Sequence, residues 1–358
     1  MFFDVLFSST RVLSAKDADL ALQFIPWRQF GFDQLRQGNL ALWNPHIFGG
    51  TPYFAGFQSA LLYPPNWLHL ILPVGVAINW IIALHVFLAG YFTYFWCRGR
   101  EISVGGSILA GVMFMFSGPY FLHLYAGHLP HLAVMVWTPL LLLTIDRLAD
   151  TGDLRWSLLG ILATSMHILA GHPQYVYYTG MALSLYAVLR FIRAPHRTSL
   201  ALGFIILYVG ALLLTAIQFL PGLQATQEQV RSGGTKFEFA AMFSFPPQNL
   251  ITLLAPTFFG NISFDPNAPP QGEYWGACYL WEASLFASVT GLVLAIIGAF
   301  RGGRRAVIPI ALVLFMLVLA LGRHTPLYRP MFNYIPMYSS FRGSTKFAYL
   351  GVLFLSLL

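Results

Sequence analysis

Two carboxylates head an otherwise oily stretch: Asp17 and Asp19 in DADLALQFIPW, residues 17–27. A carboxylate beside an acceptor hydroxyl can take its proton as the oxygen attacks, a contribution of about 10²–10⁴-fold in rate. The same pair also suits an N-cap role ahead of a helix, because Asp is a favoured capping residue. Spacing alone leaves both readings open. Asp17 could also share a divalent cation with Asp19, but such a site needs more ligands than this stretch supplies. No metal-ligand set is assigned to the chain.

Other reactive side chains fall far along the chain. His123, His128 and His131 lie close together, and His172 follows a later apolar run. Their spacing contains no helical i, i+4 metal pair, and core or interfacial roles stay open for them. Arg342 and Lys346 flank Gly-Ser-Thr. A guanidinium suits bidentate phosphate contact, while snorkelling at a membrane boundary is the ordinary alternative. Glu273 falls in a loop. Glu282 falls inside an apolar run, where an ionisable group is costly and so marks a functional candidate; it pairs with one of the Arg or His residues named here or faces a polar cavity. Trp43 and Asn44, in the turn-rich GNLALWNPHIFGGTP, are candidates for a groove that holds a sugar, since aromatic faces suit sugar rings. A Trp in an interfacial belt is the competing reading.

What positions these groups follows from composition. The 358 residues are 57% hydrophobic and 9% charged, against about 25% charged in soluble chains. The apolar residues come in blocks, so the solvent is a bilayer. The net charge of +7 does not gather into a basic stripe, which argues against nucleic acid as a partner. Cys97 and Cys278 are far apart and suggest neither a bridge nor a metal site. The chain reads as a fragment of a longer protein: MFFDVLFS is too short for a span, and the sequence stops inside the apolar FAYLGVLFLSLL.

Apolar runs long enough to cross hydrocarbon cover 76–96, 103–123, 173–192, 199–220, 276–300 and 305–322, with shorter ones at 131–146 and 156–170 and a truncated one at 346–358. If each spans once, the connectors CRGRE, DRLADTGDLR, RFIRAPHR and RGGRR share one side and carry ten of the 20 Lys and Arg. The positive-inside rule makes that side cytoplasmic. The expected organisation is then a first extracytoplasmic loop, 1–75, transmembrane helices over 76–220, a second large outer loop, 221–275, and further transmembrane helices over 276–358. Within 237–257, Pro246, Pro247 and Pro256 argue for a surface or re-entrant element rather than a span. From Leu20, the apolar Leu20, Phe24, Trp27, Phe30 and Leu35 alternate with Gln23, Arg28, Asp33, Gln34 and Arg36, predicting an amphipathic helix at the interface with Arg28 on its polar face. No internal repeat is evident.

The order of several motifs resembles a known group. DLALQFIPW, LRQGNLALWNPHIFGGTP, YPPNWL, GHLPHLAVMVWTPLLLL (127–143), AGHPQYVYYTGMALSLYA (170–187), LLAPTFFGN (253–261), YWGACYLWEASL (274–285) and FRGSTKF (341–347) are similar to the bacterial YfhO-like membrane proteins, which belong with the GT-C glycosyltransferases. The resemblance implies an all-α, polytopic transmembrane bundle in the bacterial cytoplasmic (inner) membrane. It implies inverting transfer of a sugar from a polyprenyl-phosphate carrier to an extracytoplasmic acceptor: a cell-wall polymer, glycolipid or protein. Asp19 takes the place of the base, and His128 and His172 become candidate phosphate or sugar contacts. No cofactor is assigned, and a divalent cation stays open. Two other classes compete. A transporter or flippase would show repeated halves and mid-membrane charges. A non-catalytic assembly factor for envelope polymers would use the outer loops as an interaction surface.

Overall fold

The structure, a computed structural model, describes residues 2–8, 10–15, 18–228, 233–260 and 274–358. It is all-α. The only sheet among the described residues is a two-residue antiparallel pair, Trp43–Asn44 against Thr51–Pro52. Among the described residues, four helices are long and apolar enough to cross a membrane: Val74–Gly99, Leu129–Thr151, Arg197–Gln227 and Gly303–His324. Trp156–Leu169, Val289–Arg301 and Ser344–Leu355 are apolar but shorter.

Two expected spans are not continuous helices. The run 103–123 divides into Val104–Met115 and Gly118–Leu124 with a 45° bend between them. Pro119 lies in the first turn after the break, where its missing amide costs nothing. The run 276–300 divides into Leu280–Ala283 and Val289–Arg301. Between them Ser284 is extended, the Ala283 carbonyl accepts from the Asn249 side-chain amide at 3.0 Å, and the Leu285 amide donates to Thr252 Oγ1 at 3.0 Å. Those side chains take the backbone groups that a helix would have used. Over 237–257 the chain makes only short turns, Phe237–Ala240 and Pro247–Leu253.

By contact the chain forms two compact units, Met1–Glu101 with Ala126–Gln229 and Ile102–Tyr125 with Val230–Leu358. In the first, Leu129–Thr151 is almost wholly buried. Arg197–Gln227 packs against Trp156–Leu169 and buries Leu200, Gly203, Leu207, Ala211, Thr215 and Gln218, a stripe at three- and four-residue spacing. Its other faces expose Ile205, Val209, Leu213, Leu214, Ile217 and Leu220. That exposed apolar surface accords with a helix long and apolar enough to cross a membrane. Ahead of these helices, a π-helical turn, Leu20–Phe24, runs into the α-helix Ile25–Arg36. Phe32 joins Ala41, Tyr53, Phe54 and Leu61 in a small core under it. Arg28, expected on the polar face, is buried instead. Its guanidinium donates to the Gln58 and Ser59 carbonyls, and these fixed dipoles draw it inward.

In the second unit Val307–Leu321 packs along Ala348–Leu355. Ser103 and Ser288 cap the helices Val104–Met115 and Val289–Arg301, their hydroxyls each accepting a backbone amide at 3.2 Å.

Candidate active site

Asp19 stands at the head of the Leu20–Phe24 turn but caps nothing: no backbone amide reaches its side chain as a cap. A contact from 107 residues downstream sets its position instead. The Asp19 amide donates to the Ala126 carbonyl at 3.2 Å. Gly127, at φ +73°, passes so close to the turn that a Cβ there would lie 2.4 Å from the Leu20 nitrogen. Only glycine has both the left-handed backbone and the missing side chain that this approach demands. The next residue, His128, is therefore delivered to Asp19, Nε2 to Oδ2 at 3.3 Å. The Asp19 side chain remains 57% exposed. The hydrogen bond from His128 holds its carboxyl below the usual carboxylate range, against an opposing contribution from partial burial. Asp19 is thus ionised at neutral pH, oriented through one oxygen and open at the other.

Behind this pair the imidazoles continue inward. His128 stacks on His131, centroids 4.3 Å apart at 21°. His131 meets His172 at 4.3 Å and 72°, and Tyr175 lies 5.1 and 4.9 Å from those two rings. His131 and His172 are each 9% exposed. The same local device places His172. Gly171, at φ +92°, approaches the Phe57 carbonyl so closely that a Cβ would sit 2.4 Å from that oxygen. His172 then becomes the N-cap of Pro173–Arg193, with Nδ1 accepting from the Tyr175 amide at 3.4 Å. His128 occupies the matching position ahead of Leu129–Met135. Both stretches read Ala-Gly-His, at 126–128 and 170–172. Two helix N-termini consequently bring partial positive charge to one cluster.

The opposite end of the long buried helix is built differently. The Asp146 carboxylate accepts from Trp96 Nε1 at 2.9 Å, Tyr186 Oη at 2.6 Å and the Arg100 guanidinium at 3.0 Å, and pairs with Arg190 at 2.9 Å. This knot ties Val74–Gly99, Leu129–Thr151 and Pro173–Arg193 together beside the first unit's own connectors CRGRE, DRLADTGDLR and RFIRAPHR.

The other candidates divide among several places. Asp17 and Glu273 lie outside the described residues. Asn44 is buried and closes a turn, its Oδ1 accepting from the His46 amide at 2.9 Å. Trp43 is half-exposed, its indole laid against Gly50. Glu282, Arg342 and Lys346 belong to the second unit. There Lys346 Nζ meets Glu282 Oε1 at 2.9 Å, and Thr345 Oγ1 donates to Glu282 Oε2 at 2.7 Å. Burial pushes the Glu282 carboxyl up, but Lys346, His123 and the Thr345 hydroxyl outweigh it and bring it down to about 2. Arg342 lies over the Phe239 and Phe243 rings at 5.2 and 5.1 Å. Lys346 therefore spends its charge on Glu282, and Arg342 spends part of its own on two aromatic faces. Reading residue types missed Tyr175 and the Asp146 knot. The doubled Ala-Gly-His was the available signal for the histidine site.

No known family profile, curated protein or solved structure matches the chain.

Proposed function

We propose that this protein is a polytopic membrane glycosyltransferase of the GT-C type, similar to the YfhO-like proteins, with Asp19 as its base. The observation that carries the reading is the Asp19–His128 pair: an ionised, half-exposed carboxylate at the N-terminal end of a buried apolar helix. That helix, Leu129–Thr151, has 23 residues and is roughly 34 Å long at 1.5 Å per residue, enough to cross a hydrocarbon core of about 30 Å. The Asp146 knot and the first unit's connectors CRGRE, DRLADTGDLR and RFIRAPHR stand at its other end. The positive-inside rule assigns that end to the cytoplasm and Asp19 to the extracytoplasmic face of a bacterial inner membrane.

The chemistry runs as a single displacement. The acceptor oxygen forms its bond to the anomeric carbon as the bond from that carbon to the carrier phosphate oxygen breaks. The electron pair leaves on the phosphate, and the acceptor proton passes to the Asp19 carboxylate, inverting the anomeric centre. The leaving phosphate needs positive charge more than a proton. The two helix N-termini supply it, and the imidazoles of His128 and His172 add ring N–H donors rather than a full charge. The donor arrives in the plane of the bilayer, so no nucleotide-binding loop is required.

The test is to give polyprenyl-phosphate-linked sugars to membranes containing the protein or Asp19→Asn and follow label into extracytoplasmic polymer, glycolipid or protein. Transfer by the wild type and its loss in the variant support the proposal. Equal transfer by both removes Asp19 from the mechanism, and no transfer with any donor removes the reaction.

A further inference from the structure

A base and a phosphate contact still leave the group that passes between them, the sugar, without a partner. We infer that the side-chain amides of Gln23 and Gln58 form the subsite for that sugar and take a neutral hexose through its hydroxyl groups. Where the sugar lies follows from the transferase reading; that two amides meet there follows from the fold of the first unit.

Each glutamine stands beside a group already assigned. Gln23 follows Asp19 by four residues, at the far end of the π-helical turn Leu20–Phe24, and positions four apart share a helix face. Turns of this kind are rare and recur at functional sites. Gln58 comes from the other direction: a Cβ on Gly171 would lie 3.2 Å from the Gln58 Cα, and His172 is the next residue. The two side chains meet, Gln23 Nε2 donating to Gln58 Oε1 at 2.9 Å. The pair thus links the turn that carries the base to the turn that carries the phosphate contact, and the transferred sugar must lie between base and phosphate.

The amides have capacity to spare. Each carries an acceptor oxygen and two donor hydrogens. Their mutual bond leaves Gln23 Oε1 and Gln58 Nε2 with no side-chain or backbone partner among the described residues, and both residues are only half-buried. A hydroxyl donates and accepts, so two neighbouring hydroxyls of a hexose satisfy both atoms together. A carboxylate could use the donor alone and would face the free oxygen unfavourably, so the pair suits a neutral sugar.

The loop that presents Gln58 is fixed beforehand. The buried Arg28 guanidinium donates to the Gln58 carbonyl at 3.0 Å, Gln218 Nε2 donates to the Phe54 carbonyl at 2.6 Å, and Gly222 makes room for the Phe57 ring. A binding side chain on a loop held this way loses little freedom when ligand arrives.

The test reads binding with no acceptor present. The full chain in detergent is titrated by calorimetry with polyprenyl phosphate alone and with polyprenyl-phosphate glucose, galactose and mannose. At least one of the three sugars should bind about tenfold or more tighter than polyprenyl phosphate alone, as two neutral hydrogen bonds allow. Gln23→Leu and Gln58→Leu should each remove about 2–10-fold of that advantage, and the double variant all of it. Each variant should bind polyprenyl phosphate alone as the wild type does, which shows that the fold and the phosphate contacts are intact. The exposed Gln37→Leu should keep the full advantage. A wild type that prefers none of the three sugars over polyprenyl phosphate alone overturns the inference. Gln23 and Gln58 variants that keep the wild-type advantage, or that weaken both kinds of ligand alike, overturn it too. A wild type whose sugar preference is lost in the variants, yet which moves no sugar to any acceptor, keeps the subsite and removes the reaction, so the two failures are told apart.

Discussion

Replacing Glu282 by Gln separates two roles for the Glu282–Lys346 pair. The Glu282 carboxyl titrates at about 2 rather than 4.5. At about 1.4 kcal/mol per pH unit, that difference corresponds to about 3 kcal/mol of native-state stabilisation of the ionised form. Both side chains are only 8% exposed. The Gln variant leaves the Lys346 ammonium buried with no opposite charge at 2.9 Å, and such a break costs about 3–5 kcal/mol. For a folding unit of this size, 1 kcal/mol moves the midpoint by roughly 2–4 °C, so Glu282→Gln should melt about 6–20 °C lower in a thermal-shift assay on the detergent-solubilised protein. The double variant Glu282→Leu, Lys346→Met buries neither charge and should recover most of that loss. A Glu282→Gln protein that melts with the wild type, or a double variant no better than the single one, would refute the ion-pair reasoning. A changed KM for the donor with an unchanged melting point would return Glu282 to substrate contact.

The same carboxyl sets an acid limit. Its folded value is depressed, so its stabilisation is complete above about 4.5 and declines as pH falls toward about 2; melting points of wild type and Glu282→Gln should converge over that interval. Gly127→Ala forces a Cβ to within 2.4 Å of the Leu20 nitrogen at φ +73° and should displace Asp19 from His128, lowering transfer by at least about tenfold, since a misplacement near 1 Å can cost about 100-fold. Unchanged transfer would show that this approach does not position the base. Asp146→Asn leaves Arg100 and Arg190 without their shared carboxylate and should cost about 3–5 kcal/mol, read as a lower melting point; a variant that melts with the wild type would show that the knot does not hold these helices together.

Much of the helical plan was legible because hydrocarbon demands long apolar runs, and Val74–Gly99, Arg197–Gln227 and Gly303–His324 stand out by composition alone. The bend after Met115 had a local signal in Ser117-Gly118-Pro119. The break after Ala283 had none, because it is made by Asn249 and Thr252, whose contribution is tertiary. Arg28 shows the same limit. Helical spacing assigns it to the polar face, yet the carbonyls of Gln58 and Ser59, some thirty residues on, decide where it goes. At the site, residue type singled out Asp19, His128 and His172 one at a time. That they share one corner with His131 and Tyr175 depends on two left-handed glycines, whose conformation shows only once the partner strands of chain, Leu20 and Phe57, are in place. The pairing of Glu282 with Lys346 is not legible in the sequence, which points to Arg or His partners, because charges 64 residues apart meet only if the intervening helices fold back.

The most direct test of the central claim is a single-turnover measurement at saturating polyprenyl-phosphate sugar, comparing wild type with Asp19→Asn while donor binding is followed separately. The account predicts donor binding within a few-fold of wild type and a transfer rate lower by about 10²–10⁴. An Asp19→Asn protein that binds donor and transfers at the wild-type rate would contradict it.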